Sequence, residues 1–353
     1  MKLRVVILRN ESESDHLPWL KACEDCGDKV SARTVNLTSR SWMEDIMAEP
    51  CDVLLAKPGG LTSLFKQLYD ERIYILSRHL GYTVFPSPEE IYIYENKRLL
   101  SYWLKANNIP HPRTTVIYTF EEALNFLSGK VFPLVAKTNI GASGSGVKFL
   151  MDRQQAVNYT KAVFKGRGAP QRSGPNLEMG GYLSRGLHYL RHPSDIADKL
   201  KIYCTRVASL QKGFVIFQEV IDHSFEWRVV RIGDSYFAHK KIKAGNKASG
   251  SLLKNYDNPP LELLDFVNEI TRKHNFRSQA VDIFESDRGY LVNEMQCIFG
   301  QSDSFQMMVD GRRGRYVFSG SRWLFEEGDF AINECYNLRL QYLIGQHESS
   351  FRL

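Results

Sequence analysis

VFPLVAKTNIGASGSGVKFL, Val131 to Leu150, is the stretch that decides the fold. An apolar run puts Lys137 at the end of a strand. Gly141, Gly144 and Gly146, with Ser143 and Ser145 between them, then supply a loop with almost no side-chain bulk. Such a loop can lay its backbone N–H groups on phosphate oxygens. Val147, Phe149 and Leu150 resume a strand pattern. Strand, lysine, glycine loop and returning strand together predict a cover over phosphate groups. No Lys-Ser/Thr pair follows the last glycine, so the Walker spacing is absent, and no Rossmann dinucleotide element is present.

The 353 residues have room for two or three packed units. Charged residues at 24% and hydrophobic ones at 43% are the balance of an ordinary soluble protein and exclude a chain disordered by composition. A net charge of +6 suits anionic ligands such as nucleotides, but it is spread over the whole chain, so no dedicated nucleic-acid surface is expected. Six cysteines are too sparse for a disulfide framework. Cys23 and Cys26 form a CxxC with no second pair or histidine partner to complete a zinc site, and they read as structural thiols. The N-terminus MKLRVVILRNESES lacks a secretory core, and no apolar run approaches about 20 residues. A cytoplasmic protein with no membrane segment is expected.

Strand and helix patterns alternate from Leu3 onward: a strand Leu3 to Leu8, a helix Leu17 to Cys26 stopped by Gly27, and a strand Val30 to Leu37. A short helix Trp42 to Met47 and a strand Cys51 to Ala56 follow, ending in Lys57, Pro58, Gly59 and Gly60. A helix Leu61 to His79, with Leu64, Phe65 and Leu68 at helical spacing, and a strand Thr83 to Phe85 complete a small parallel sheet covered by helices. In Asn96 to Pro112, Leu99, Leu100, Trp103 and Leu104 share one helical face, and Asn107 or Asn108 provides the left-handed exit. Lys97 lies in the first turn, which the helix dipole disfavours, so a role in binding an anion is expected of it. Glu121 to Ser128 is helical in pattern. Lys165 to Arg191 is irregular, Gly-rich and basic, and it reads as an insertion in which His188 and His192 lack metal-ligand partners.

Gly213 to Asp222 is an apolar strand ending in polar groups, and Glu226 to Lys243 forms two strands about a Gly233-Asp234 turn. Arg228 and Arg231 then fall on opposite faces of the first strand, as Lys240 and Lys241 do on the second. After a helix from Leu261 to His274, AVDIF and YLVNEMQ form a hairpin around Ser286 to Gly289. In one register Asp282 and Glu294 stand opposite each other, while Glu294 and Gln296 share a face. Buried carboxylates facing each other need a cation, and magnesium held together with phosphate oxygens is the natural one. A last helix, Ala331 to Ile344, closes the C-terminal unit.

In this order the parts resemble the ATP-grasp superfamily, the fold of D-alanine:D-alanine ligase, glutathione synthetase and the ribosomal-protein glutamate ligases. The resemblance covers roughly Tyr94 to Phe305. It implies a mixed α+β and α/β chain: an N-terminal pre-ATP-grasp parallel α/β domain over residues 1–90, a central ATP-grasp lobe over 91–220 with the phosphate loop and the basic insertion, and a C-terminal lobe over 221–353 with the metal site. By the same resemblance Lys97 and Lys137 touch the nucleotide phosphates, and Gly141, Ser143, Gly144, Ser145 and Gly146 cover them. Gln218, Glu219 and Val220 present backbone to the adenine edge, and Asp222, or in its place Glu226, takes the ribose hydroxyls. Arg228 faces the transferring phosphoryl group, assisted by Lys241 or Lys243. The metal ligands map to Asp282, Glu294 and Gln296, where Gln296 stands in place of the family's asparagine. The implied cofactors are ATP and Mg2+, with Mn2+ as an alternative.

The reaction so implied is an ADP-forming carboxylate–amine ligation through an acylphosphate, with removal of Asp282 or Glu294 expected to abolish turnover and leave the fold. A small-molecule kinase and a catalytically silent nucleotide-binding regulatory protein are the alternatives. The residues CIFGQSD after Gln296 differ from the turn common in amino-acid ligases. The KPGG loop and the basic segment Arg172 to Arg191 hint at an acidic carboxylate substrate, small or linked to a peptide or sugar, joined to an amine. The sequence allows a homodimer.

Overall fold

LRVVILR, Leu3–Arg9, is buried from Val5 through Leu8 on both faces, the pattern of a central parallel strand. In the computed structural model it is strand β1. The structure describes residues 2–59, 62–141, 146–170, 210–244, 247–248, 253–301 and 303–350. Two compact units are present, one made of Met1–Gly59, Phe65–His111 and Ile221–Leu353, the other of Gly60–Leu64 and Pro112–Val220.

In the first unit, helix α1 (Leu17–Cys26) carries Pro18 in its first turn and ends at Gly27, whose φ of 54° suits a residue without Cβ. Strand β2 (Val30–Asn36), helix α2 (Trp42–Met47), strand β3 (Val53–Ala56), helix α3 (Ser63–Tyr74), a π-helical turn Ile75–His79 and strand β4 (Val84–Phe85) follow. The four strands form a parallel sheet in the order β2-β1-β3-β4. On α3 the buried stripe is Lys66, Tyr69 and Ile73, with Leu64 67% exposed, so the face expected from Leu64, Phe65 and Leu68 is rotated. Lys66 can occupy a buried position because its ammonium bonds to Asp70 and to the Ile91 carbonyl oxygen.

The short helix α4 (Pro88–Ile93) and helix α5 (Lys97–Ala106) lead into the second element of this unit. Asn96 caps α5, and Asn108 exits at φ 55°. Leu100, Trp103 and Leu104 are buried, whereas Leu99 is 37% exposed and stands off the expected face.

The second unit, described by itself, is an antiparallel sheet ordered β5-β8-β6-β7, from β5 (Thr114–Ile117), β6 (Leu134–Lys137), β7 (Val147–Leu150) and β8 (Val215–Glu219). Helices α6 (Phe120–Ser128) and α7 (Arg153–Lys165) bury Ala123, Leu127, Ala156, Tyr159 and Val163 in one core with Leu134, Ala136, Val215 and Phe217. The quoted stretch is thus a hairpin that begins and ends its glycine loop inside a sheet.

Back in the first unit, β9 (Phe225–Ile232) and β10 (Ser235–Ala244) form the Gly233-Asp234 hairpin, and β13 (Ser278–Ser286) with β14 (Gly289–Gln296) forms the second. Between them come the two-residue strands β11 (Lys247–Ala248) and β12 (Lys254–Asn255) and helix α8 (Leu261–Lys273). Strands β15 (Met308–Val309), β16 (Arg312–Ser319) and β17 (Arg322–Glu327) extend the sheet, whose main path runs β14-β13-β9-β10-β16-β15. One face packs α8 and α5 over Trp227, Val229, Ala238 and Val281, and the other holds Val230, Ile232, Phe237 and Ala280 in a separate core. The last helix, α9 (Tyr336–Ser350), packs on both sheets of this unit, with Leu338 in the core that holds Val230, Ile232 and Phe237. Tyr336, Leu340 and Ile344 enter the core of the parallel sheet, and Tyr336 meets Trp19 edge-on at 4.8 Å. Among the described residues no helix is long and apolar enough to cross a membrane. Cys23, Cys26, Cys51, Cys297 and Cys335 are free thiols, and burial pushes Cys23 up to about 12.

Glu90 ties the two sheets of this unit together. It closes a capping box with Ser87, and its Oε1 accepts from the Ser278 N–H at 2.8 Å where β13 begins. Full burial pushes its carboxyl up to about 7, against the pull of these backbone donors. A carboxyl with a raised folded pKa favours the folded state below its unfolded value of about 4.5, and that advantage is lost as pH rises to about 7. Glu90→Gln cannot accept both backbone bonds and is expected to be less stable than wild type at pH 4.5. Its deficit should shrink by up to a few kcal/mol as pH rises to about 7 and stay constant beyond. Urea midpoints of both proteins across that range measure the effect, and a pH-independent difference refutes the assignment.

Candidate functional site

Asp282 is 2% exposed at the middle of β13, and the register of three strands surrounds it. Arg228 on β9 and Glu294 on β14 are its cross-strand partners, and the extra residue Asn293 makes a bulge in β14 between the Asp282–Glu294 and Ile283–Val292 pairs. Arg228 Nε donates to Asp282 Oδ1 at 2.8 Å and its second terminal nitrogen to Oδ2 at 2.9 Å, a two-pronged pair. Lys241 on β10 donates to Asp282 Oδ2 at 2.8 Å and to Glu226 Oε2 at 2.8 Å. Burial pushes the Asp282 carboxyl up, but Arg228 and Lys241 more than offset it and hold the group well below the carboxylate range. Burial also opposes the charges of Lys241 and Arg228, and the carboxylates around them win, raising both.

Lys97 extends the network. It lies 3.7 Å from Glu294 Oε1 and 3.7 Å from Glu95 Oε2, and these acids raise its pKa despite burial. A lysine in the first turn of α5 is therefore held by carboxylates, which offset the unfavourable helix end. Gln296 bridges the two halves: its Oε1 accepts from Arg228 at 3.3 Å and its Nε2 donates to Glu95 at 3.5 Å. Asn293 Nδ2 donates to Glu226 Oε1 at 3.4 Å. His239, across from Arg228, is pushed down to about 3 by burial and by that guanidinium, so it is neutral here and gives its Nδ1 to the Gln306 carbonyl contact at 2.9 Å.

Seven residues singled out from sequence, Lys97, Glu226, Arg228, Lys241, Asp282, Glu294 and Gln296, thus come together from five elements. Lys243 makes no ion pair among the described residues, and Asp222 is exposed. Glu95, Asn293 and His239 were missed. Glu95 offers only a local signal, an acid next to a helix cap, and its φ of 49° is visible only in the fold. Because Asp282 sits buried between two cations, its removal would strip both of a partner, a cost to the fold that its sequence position does not announce.

In the second unit Lys137 ends β6, 8% exposed, opposite Val147 and Ile216. Thr138 N donates to Gly146 O at 2.9 Å, which closes the neck of the glycine loop. A Cβ on Gly146 would fall inside the Thr138 side chain, so this glycine is required by close approach. Gly141 has φ 142°. Ser143, Gly144 and Ser145 lie outside the described residues, as do Gly60, residues 171–191 of the insertion, and Cys204. Gln218 Nε2 donates to Thr114 Oγ1 at 2.9 Å, and Glu219 is held by Arg113 at 2.7 Å through Nε. Their side chains are engaged, and Val220 follows half-buried.

Asp282, Glu294 and Gln296 would offer a divalent cation oxygen donors only. Among the described residues no group of three or more His, Cys, Asp or Glu side chains is arranged to hold a metal. A metal here would take at most two protein carboxylates and complete its shell with phosphate oxygens or water. That fits magnesium and not a closed protein cage. Asp282 has one of its four lone-pair sites left beside Arg228 and Lys241, while Glu294 is 27% exposed in its side chain.

No protein-family model matches the chain, and no curated protein matches it in sequence. Solved structures do. A RimK domain ATP-grasp protein from Sphaerobacter thermophilus is 16% identical at a TM-score of 0.52, covering 83% of this chain and 90% of that one. D-alanyl-alanine synthetase A from Vibrio cholerae is 12% identical at 0.51, over 84% and 89%. The biotin carboxylase domain of 2-oxoglutarate carboxylase from Hydrogenobacter thermophilus, in complex with MgADP, ADP and bicarbonate, is 12% identical at 0.54, over 85% of this chain and 65% of that one. At these identities the likeness is one of fold: the chain has the ATP-grasp fold.

Proposed function

We propose that the chain is an ADP-forming carboxylate–amine ligase. The observation that carries this reading is the charge arrangement at Asp282: two acids face each other in register, with Lys97, Arg228 and Lys241 in contact with them. A carboxylate oxygen of the substrate attacks the γ-phosphorus of ATP, the bond to the β–γ bridging oxygen breaks, and ADP leaves. The amine nitrogen then attacks the acyl carbon of the acylphosphate, loses a proton, and phosphate departs. Both anions repel in the first step, and fixed cations in a water-poor site offset that repulsion.

In this reading Lys97 and Lys137 bind phosphate oxygens, and the loop from Gly141 to Gly146 covers them. With the Gln218 and Glu219 side chains held by Thr114 and Arg113, the backbone through Val220 is the part left to meet adenine. Asp222, exposed, suits the ribose hydroxyls better than Glu226, which Lys241 holds. Magnesium, or manganese, at Asp282, Glu294 and Gln296 would supply further neutralisation of the phosphate oxygens. Arg228 and Lys241 orient Asp282 and place positive charge beside it, Arg228 toward the phosphoryl group. The carboxylate and amine partners are small molecules, the carboxylate alone or carried on a peptide or sugar.

A second reading, nucleotide binding without turnover, is favoured by one observation, the engagement of both Asp282 oxygens by internal cations. An ADP-release screen across carboxylates, with hydroxylamine as acceptor, separates the readings. A hydroxamate formed with ADP supports the ligase, ADP without hydroxamate supports a kinase, and ATP binding with no ADP against any acceptor supports the silent protein.

Glu294→Gln is expected to lower ADP release at least a hundredfold with the urea midpoint nearly unchanged. Asp282→Asn should do the same and also lose about 3 kcal/mol of stability, since it leaves two buried cations short of a partner. Wild-type turnover in Glu294→Gln overturns the site. Gly146→Ala should weaken ATP binding at least tenfold, and Thr138→Ala in the same chain should restore part of it by removing the hydroxyl and methyl, though not the Cβ, from the clash. Equal ATP affinity in wild type and Gly146→Ala removes the loop from the nucleotide site.

A further inference from the structure

Arg231 lies three residues beyond Arg228 on β9 and so faces the opposite side of the sheet. It is 2% exposed, yet no carboxylate pairs with it among the described residues. Its Nε donates to Gly233 O at 2.9 Å, one terminal nitrogen donates to Thr271 Oγ1 at 2.8 Å, and the guanidinium rests 5.2 Å from the Tyr236 ring centre. The remaining terminal nitrogen has no partner among the described residues. A buried guanidinium is ordinarily paired, and this one is not.

Arg231 lines a cavity of about 440 Å³ bounded by the Gly233-Asp234 turn, the end of α8 and the turn between β16 and β17. Two further arginines enter it. Arg277 is 3.7 Å from Asp234, and Arg272 stands 5.9 Å from the Phe318 ring centre with no carboxylate partner among the described residues. Asn268, 6% exposed, accepts from the Tyr236 hydroxyl at 2.8 Å and keeps its amide nitrogen unpartnered among the described residues. Three guanidinium groups against the single carboxylate of Asp234 leave two positive charges, the complement of a dianion. Planar N–H forks suit phosphate oxygens. The volume exceeds that of a bare phosphate ion, and Phe318 and Tyr236 give it aromatic walls for an organic group.

We propose that this cavity is a binding site for the phosphate monoester of a small organic molecule, separate from the site around Asp282. Isothermal titration of the full chain at low salt with phenyl phosphate, inorganic phosphate and phenol tests it. Phenyl phosphate is expected to bind wild type, inorganic phosphate to bind at least tenfold more weakly, and phenol not to bind. The double variant Arg272→Gln/Arg277→Gln should lose at least tenfold in affinity for phenyl phosphate. Lys273→Gln, which removes an exposed charge next to the cavity, and Lys137→Gln, in the other unit, should bind as wild type does. The two cavity arginines carry no buried contact comparable to that of Arg231, so their loss leaves the fold testable by its urea midpoint. Equal affinity in wild type and the double variant, loss of binding in Lys137→Gln, binding of phenol, or absence of binding to wild type overturns the proposal. Equal affinity for inorganic phosphate overturns the monoester.

Discussion

A carboxylate at the centre of a sheet needs cations within hydrogen-bond reach, and Asp282 has two, Arg228 and Lys241. Left alone at 2% exposure it would cost several kcal/mol, and it would take up a proton to escape that cost. The partners come from the neighbouring strands in order: Arg228 directly across on β9, then Lys241 on β10, itself opposite Glu226. A slip of one residue between β13 and β9 would turn Asp282 into the apolar core under α8 and leave Arg228 facing an aliphatic chain. Register and polar network therefore specify each other. The bulge shows the same constraint, because the extra residue Asn293 on β14 lets Glu294 stand opposite Asp282 while Val292 keeps to the core face with Ile283.

Strand periodicity made that hairpin legible. The turn and the apolar residues Val281, Ile283, Leu291 and Val292 mark the two strands, but unbroken pairing from Ser286 and Gly289 would set Asp282 opposite Asn293, and only the bulge brings Glu294 there. Helix ends were equally legible where a cap marks them, as at Asn96 and Gly27. What could not be read is which charges are buried. Lys66 occupies a position on α3 that pattern assigns to an apolar residue, because Asp70 one turn on and a carbonyl of α4 meet it. Glu95 carries no pattern, and only the approach of α5 to β14 brings it to Lys97 and Gln296. The placement of α9 was hidden for a related reason: its apolar residues fit any sheet, and it serves two, with Leu338 in the core of the C-terminal sheet and Tyr336 against Trp19 of the parallel one, where Asn337 donates to Asp25.

β9 is also where the two faces of this sheet can be compared, since it carries one buried arginine on each. Arg228 is matched by an internal carboxylate, and its charge is spent within the protein. Arg231 is matched by a carbonyl, a hydroxyl and the face of a tyrosine, all of which solvate a guanidinium without neutralising it. Neutral partners let the group be buried, but they leave its field intact, and Arg277 adds to that field. Burial lowers the Arg231 pKa and Arg277 pulls the same way, against Tyr236 and Asp234, which raise it. An aliphatic residue at position 231 would have continued the core of Trp227 and Val229 without a charge to bury. Its hydrogen bonds and ring contact account for the arginine's burial but do not neutralise its charge, which an anion drawn into the adjoining cavity would.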